Sequence, residues 1–297
     1  MNSSQLHKPV LLDEVLKAFG EHFALEDGPF GVDGTFGRGG HASAILESYP
    51  KVNILGVDQD LEAIEYAKSQ YKDYLSNERL NLLHANFSDS EKVKEALNRE
   101  LNFVFLDIGV SSPQLDNAER GFSFYNDGPL DMRMNQAVGE TAADVVNEKD
   151  SEELRALFLE YGEVYASDKL LEGITDFKND KKFETTLELA NLIEKKCGWR
   201  KKGVHPATLY FQALRIYVNA ELDKLQEALE FYTESLAPGG VFMIISFHSL
   251  EDRMIKQFFK SSTVGKPVNK KVIKPTREEE TENKRSRSAK LRVFKKN

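Results

Sequence analysis

Three aspartates in this 297-residue chain stand where an acid can do chemistry. Asp33 closes the apolar run GPFGVD, Asp58 closes VNILGVD, and Asp107 closes LNFVFLD. After Asp33 comes GTFGRGGHA, so four glycines fall between Asp33 and Gly40. Glycines this dense let backbone come close to a ligand or to another element. Gly37-Arg38-Gly39-Gly40-His41-Ala42 fits G-x-G-x-x-[GA], the spacing of turns that hold a dinucleotide. Asp58, 18 residues past Gly40, is placed to accept hydrogen bonds from ribose hydroxyls.

Two ligands fit such a turn: a nicotinamide or flavin dinucleotide, and S-adenosylmethionine. Asp33 separates them. It lies four residues before Gly37, and a pyrophosphate at the following helix N-terminus would be repelled by a carboxylate so near. S-adenosylmethionine carries an ammonium and a sulfonium and no phosphate, so an acid suits it. The pattern Asp33-x-Thr35-x-Gly37-x-Gly39 also resembles the acid-x-Gly-x-Gly-x-Gly loop of Rossmann-like methyltransferases, with Thr35 in place of one glycine. A tight strand-to-helix turn without a ligand is the plainer alternative.

Asp107 ends the fourth apolar run, followed by Ile108-Gly109-Val110 and then Ser111, Ser112 and Gln114. Methyltransferases acting on amino groups often carry an acid or amide here, followed by Pro-Pro-aromatic; the prolines and the ring are missing. The amine of a nucleobase is conjugated with its ring and is a poor nucleophile. A carboxylate accepting one of its N–H bonds localises the lone pair and can take the proton as it leaves. The alternative for Asp107 is a cap on the Ser111–Ser112 turn. His248, in SFHSLEDR at the next run's end, is either a substrate contact or a hydrogen-bonded turn histidine. The loop RGFSFYNDGPLDMRMN sets Phe122, Phe124 and Tyr125 beside Arg120 and Arg133. Rings stack on unpaired bases and arginines hold phosphates, so Arg120, Phe122 and Arg133 are substrate candidates. A packed loop with internal salt bridges is the other reading.

These residues need elements to hold them. Four apolar runs alternate with helical patterns over the first third, which predicts an α/β fold with a parallel sheet covered on both faces. From about Pro113 to His205 strand signals nearly vanish. Asp150–Glu153 and Thr185–Glu188 read as capping boxes, so this stretch is expected to be a helical insertion. The spacing then predicts one long helix over 208–236, a strand at VFMIISFH, and a helix capped by Ser249. KKVIK and KLRVF are expected as edge strands. The domain assignment is therefore a core of residues 1–112 and 206–297 and a helical insertion of residues 113–205, which the ring-and-arginine loop makes the candidate for RNA recognition.

Composition excludes several classes. No apolar run reaches a membrane span, and the N-terminus lacks the pattern of a secretory signal, so a cytoplasmic location is expected. A lone Cys197 forms no internal disulfide, and metal-ligand spacings are absent, so no metal is expected. Net charge is −8, yet residues 265–297 carry +8. This basic stretch is expected either to steer RNA or to be a solvated, partly disordered tail.

HKPVLLDEVL, DGTFGRGGHA, GVDQD, LDIGVSSPQLDNAERGFSFYNDGPLDMRMN, HPAT with FQALRIYVNAEL, LAPGG, ISFHSLEDR and RSRSAKLRV closely resemble, in order, the bacterial 16S ribosomal RNA cytosine-N4 methyltransferase family. The resemblance implies a Rossmann-like class I methyltransferase sheet with a helical domain inserted after strand four. It implies methyl transfer from S-adenosylmethionine to the N4 amine of a cytosine in the decoding region of the small subunit. By the family's pattern Gly39, Gly40 and His41 line the cofactor, Asp58 holds its ribose, Phe87 lies near the adenine, and Asp107 and Gln114 also touch it. Asp107 thus has two adjacent roles, cofactor and amine. Two departures remove positive charge: VYASDK follows Tyr161-Gly162-Glu163, and Leu209-Tyr210 follows HPAT, where the family usually runs basic. The sequence leaves monomer or homodimer open. It leaves two rivals, a dinucleotide-dependent oxidoreductase and a non-catalytic RNA-binding assembly factor.

Overall fold

The protein is described here by a computed structural model covering residues 8–23, 28–199 and 204–297. His7 of the HKPVLLDEVL stretch, and residues 200–203 of the expected insertion, lie outside the described residues. The elements run α1 (Leu12–His22), β1 (Phe30–Asp33), α2 (Gly40–Ser48), β2 (Asn53–Asp58), α3 (Leu61–Gln70), α4 (Lys72–Ser76), β3 (Leu80–His84), α5 (Ser90–Ala96) and β4 (Leu101–Asp107). A helical series follows: α6 (Ser112–Asp116), α7 (Ala142–Glu148), α8 (Ser151–Gly162), α9 (Asp168–Asp180), α10 (Thr186–Cys197) and α11 (Thr208–Asn219). Then come α12 (Glu221–Ser235), β5 (Leu236–Ser246), α13 (Ser249–Ser261), β6 (Gly265–Pro267), α14 (Arg277–Glu282) and β7 (Lys290–Lys296).

The strands form one sheet in the order β3-β2-β1-β4-β5-β7-β6. β1 to β5 are parallel, and β7 runs antiparallel to both β5 and β6. Successive side chains of a strand face opposite layers, and the sequence fills both. Phe103, Phe105, Val241, Met243 and Ile245 pack with Val15 and Phe19 of α1 and Ile45 of α2. Val104, Leu106, Phe242 and Ile244 pack with Leu225, Leu229 and Tyr232 of α12 and Phe259 of α13. Each fully buried side chain of this size contributes about 1.5–3 kcal/mol. A continuous apolar run such as LNFVFL therefore belongs to an interior strand.

The chain divides into two compact units, 1–109 with 223–297, and 110–222. The helical unit thus extends past the 113–205 expected from sequence. The cause lies at Ala220, whose left-handed backbone (φ 48) ends α11, so the expected single helix is two. The helical unit has its own core of Leu154, Leu157, Phe158, Leu189, Ile193, Phe211 and Leu214. Both expected capping boxes are present, with Asp150 capping α8 and Thr185 capping α10.

Residues 265–297 are not a disordered tail. They contain β6, α14 and β7, and β7 lies inside the sheet between β5 and β6. Two of their basic groups are paired within the fold: Lys290 Nζ and Arg292 Nε meet the Asp252 carboxylate at 2.9 and 2.8 Å. KLRVF is a strand as expected, but an interior one rather than an edge, because β6 pairs with its outer side. KKVIK makes only the bridge between Ile273 and Leu291.

Candidate active site

The carboxyl ends of β2, β1 and β4 lie side by side, and each ends in one of the three aspartates. In an open sheet this edge, where the strand order reverses, is where ligands bind. The glycine turn is fastened to all three strands. Gly34 N–H donates to the Phe105 carbonyl and Phe36 N–H to that of Val57, each at 3.0 Å. Gly37 N–H donates to Asp58 Oδ2 at 2.7 Å. Thr35 Oγ1 accepts the Asp107 N–H at 2.6 Å, so the threonine splices β4 to the turn. Gly39 is the N-cap of α2 with φ 72, and a Cβ there would lie 2.6 Å from the Tyr71 ring. Only glycine meets both demands. The Tyr71 hydroxyl donates to the Arg38 carbonyl at 2.6 Å, and the Arg38 guanidinium lies over the Tyr66 ring.

The electrostatics of this edge are unusual. Asp33 is buried, and burial together with the neighbouring Asp58 pushes its carboxyl up to about 7, against the opposing Thr35 N–H. Burial pushes Asp58 up to about 6, although the amides of Asp60 and Gly37 stabilise its charge. Asp107 is pushed up to about 8, by burial first and then by Asp33 and Glu251. Its Oδ1 is buried with no hydrogen-bond partner, while the side chain as a whole keeps about a quarter of its surface open. Burial pushes His41 down to about 4, so its ring is neutral. His41 Nε2 lies 2.9 Å from the Val10 carbonyl. A carbonyl only accepts, so Nε2 carries the hydrogen and Nδ1 keeps its lone pair. That Nδ1 lies 3.7 Å from Asp107 Oδ2, which is a contact and not an ion pair, since burial disfavours the charged form of both groups.

Among the described residues no cation is paired with these largely desolvated acids, and such acids favour a positively charged ligand and repel a phosphate. Each oxygen of Asp58 accepts one backbone N–H and retains a second lone pair for a hydroxyl. Phe87 follows β3 and packs against Gly34 at the end of β1. Asp33, His41, Asp58, Phe87 and Asp107 thus gather at one edge, and they fit an adenosyl sulfonium.

The remaining candidates are each held by local contacts of their own. Ser111 caps α6, with Gln114 N–H on its Oγ and Gln114 Oε1 accepting the Ser111 N–H at 3.0 Å. That box makes an Asp107 cap unnecessary. Ser112 opens the same short helix. The substrate roles expected of Arg120, Phe122 and Arg133 meet a different geometry. Arg120 is buried and donates to the carbonyls of Arg133 and Met134. Arg133 makes a bidentate pair with Asp131 at 2.8 and 2.9 Å. Phe122 belongs to the helical unit's core. The loop's exposed ring is Tyr125, at 82 %. His248, not Ser249, caps α13: Nδ1 accepts the Glu251 N–H, and Glu251 Oε2 accepts the Phe247 and His248 amides. Sequence reasoning missed the work of Thr35, Val10 and Glu251. Only Thr35 left a signal, as the departure from glycine in the turn.

A seven-stranded sheet of this order, with acids at three strand ends and a glycine turn that disfavours phosphate, defines a class I S-adenosylmethionine-dependent methyltransferase. The chain belongs to the MraW methylase family, whose model matches residues 4–297. It is 50% identical over 291 residues to the ribosomal RNA small subunit methyltransferase H of Bdellovibrio bacteriovorus, covering 97% of this chain and 87% of that one. The proteins of the same name from Crocosphaera subtropica and Deinococcus radiodurans are 44% and 43% identical, over 98% and 97% of this chain and 89% and 88% of theirs. Among the described residues no helix is long and apolar enough to cross a membrane.

Proposed function

We propose that this protein methylates the N4 amine of a cytosine in 16S ribosomal RNA, in the decoding region of the small subunit. The observation that carries the reading is Asp107: an acid at the ligand edge with one buried, partnerless oxygen and an open flank. The names of the relatives support RNA of the small subunit as substrate; the atom and the region rest on the sequence resemblance.

Asp33, Gly39, Gly40, His41, Asp58 and Phe87 would hold S-adenosylmethionine, with Asp107 and Gln114 contributing by the family's pattern. When bound, the cofactor supplies a methyl group on a sulfonium, activated for direct in-line displacement. Asp107 accepts one N–H of the cytosine amine and turns the nitrogen lone pair away from the ring. The nitrogen gains the methyl and gives up a proton, which Asp107 takes and passes to water along its open flank. No covalent enzyme intermediate is needed, and positioning supplies much of the rate. The target base must leave its stack to reach this edge. Basic groups on the protein hold the RNA backbone, so RNA binding weakens with salt.

The test is methyl transfer from labelled S-adenosylmethionine to small subunits from cells lacking this protein, beside protein-free 16S RNA, with the product nucleoside identified by mass spectrometry. Label in N4-methylated cytidine is expected. Tight cofactor binding with label on neither substrate would point to an assembly factor or a different RNA.

A further inference from the structure

The residues just before α1 reach the ligand edge through their backbone. The Val10 carbonyl accepts the His41 Nε2 hydrogen at 2.9 Å. Pro9 lies against the first residue of α2, where a Cβ on Gly40 would come within 2.6 Å of its ring. Leu11, the N-cap of α1, is fully buried and holds a left-handed backbone, φ 55 and ψ 30. A leucine stays in that conformation only where its surroundings over-determine it. Here the Leu11 carbonyl accepts the Val15 N–H at 2.9 Å, and the Leu11 N–H donates to Glu279 Oε1 at 2.7 Å.

Glu279 lies 268 residues further along the chain, in the first turn of α14. Thr276 Oγ1 accepts the Glu279 N–H at 3.2 Å and sets that turn. The Glu279 carbonyl accepts from Asn283, the Asn283 carbonyl from Ser286, and the Ser286 carbonyl from Ala289, the residue before β7. The nearby charges are Lys8, Asp13 and Glu14, and Lys8 is itself tied to Asp13 at 2.7 Å. The Glu279 carboxylate therefore serves as an acceptor for backbone.

We propose that Glu279 is a positioning residue for the cofactor site: by holding the Leu11 amide it places the Val10 carbonyl, and that carbonyl fixes the His41 ring with its Nδ1 lone pair facing Asp107. The inference rests on the cofactor site proposed above. A lone pair at Nδ1 favours a positively charged ligand, and a hydrogen there opposes one. Without the latch, Leu11 relaxes out of its left-handed conformation, the Val10 carbonyl moves, and the imidazole no longer has one preferred tautomer.

The experiment compares Glu279→Ala with Glu279→Gln, which keeps an oxygen acceptor. In the ligand-free full chain, ¹⁵N–¹H correlation spectra of the His41 ring report the tautomer directly. The wild type and Glu279→Gln are expected to show hydrogen on Nε2 only, and Glu279→Ala a mixture. S-adenosylmethionine affinity is expected to fall about fivefold in Glu279→Ala, the worth of one net hydrogen bond, with kcat at saturation nearly unchanged. Unchanged His41 spectra and affinity in Glu279→Ala would overturn the proposal, as would Glu279→Gln behaving like alanine. If Glu279→Ala does not fold, Thr276→Ala, which only loosens the turn, carries the test: a smaller shift of the His41 signal supports the latch and none overturns it. A wild type that shows the Nε2 hydrogen but binds no S-adenosylhomocysteine would remove the cofactor site and leave the latch standing.

Discussion

The ligand edge of the sheet and the loop Arg120–Asn135 of the helical unit both look charged and functional in sequence, and they differ in one respect. In the loop both candidate charges find partners inside the same loop: Arg133 on Asp131, two residues away, and Arg120 on the carbonyls of Arg133 and Met134. At the sheet edge one buried and two half-buried acids gather with no cation paired to them among the described residues, and one Asp107 oxygen has no hydrogen-bond partner there. A satisfied charge builds structure, whereas an unsatisfied one waits for a ligand. The contrast gives different predictions for the two regions.

The largest effect belongs to Asp107. Asp107→Ala is expected to lower kcat about 10²- to 10⁴-fold while cofactor affinity falls far less. Near-normal turnover would remove its role as acceptor and break the comparison at its strongest point. In the loop, Arg120→Met is expected to cost about 2–4 kcal/mol of stability by stranding two carbonyls, with kcat per folded molecule kept. A calorimetric Tm near that of the wild type, with RNA binding lost, would instead put this arginine on the substrate.

A third prediction concerns protons. The folded values of Asp33, Asp58 and Asp107 lie above the ordinary carboxylate value, at about 7, 6 and 8. The ligand-free fold therefore holds protons that the unfolded chain gives up, and these groups make it less stable as pH rises from about 4 to 8. A cation prefers the ionised acids, so S-adenosylmethionine affinity should rise over pH 6–8, by up to about tenfold per unit for each coupled proton. Isothermal titration in buffers of different ionisation enthalpy would count the protons released. A flat profile would mean the acids are already ionised without ligand. The smallest effects come from a matched pair of threonines. Thr185→Ala removes a helix cap, and about 1 kcal/mol should be lost with kcat unchanged. Thr35→Val should cost about as much and also lower kcat, because its hydroxyl holds the Asp107 amide. Equal kcat in the two variants would deny Thr35 its place at the site.

Much of the sheet was legible because buried parallel strands read as unbroken apolar runs closed by acids. LNFVFLD shows both features and became β4. The helical unit was legible from its capping boxes, but its end was not. The break at Ala220 depends on a left-handed residue inside an otherwise helical pattern, and alanine gives no warning of it. The aspartates were legible by position. The arginines of the loop left two readings open, substrate contacts or internal salt bridges, since sequence shows a charge without showing its partner two or fourteen residues away. The cap of α13 was given to Ser249 for a similar reason, whereas the His248 side chain takes it, in keeping with the turn-histidine alternative. The departures from the family's basic pattern are partly explained. Near Tyr165 a guanidinium is present, but it comes from Arg155, which meets the Tyr165 hydroxyl and Asp168.

The antiparallel pairing of β7 with β5 bears on how the protein is made. All residues up to 289 leave the ribosome before the outer side of β5 is covered. Until then VFMIISF presents an open, apolar strand edge, the kind of surface that recruits strands from other chains. A message cut short before the codon for Lys290 would thus yield an aggregation-prone product rather than a weakened enzyme, and quality control during synthesis would be the first to meet it.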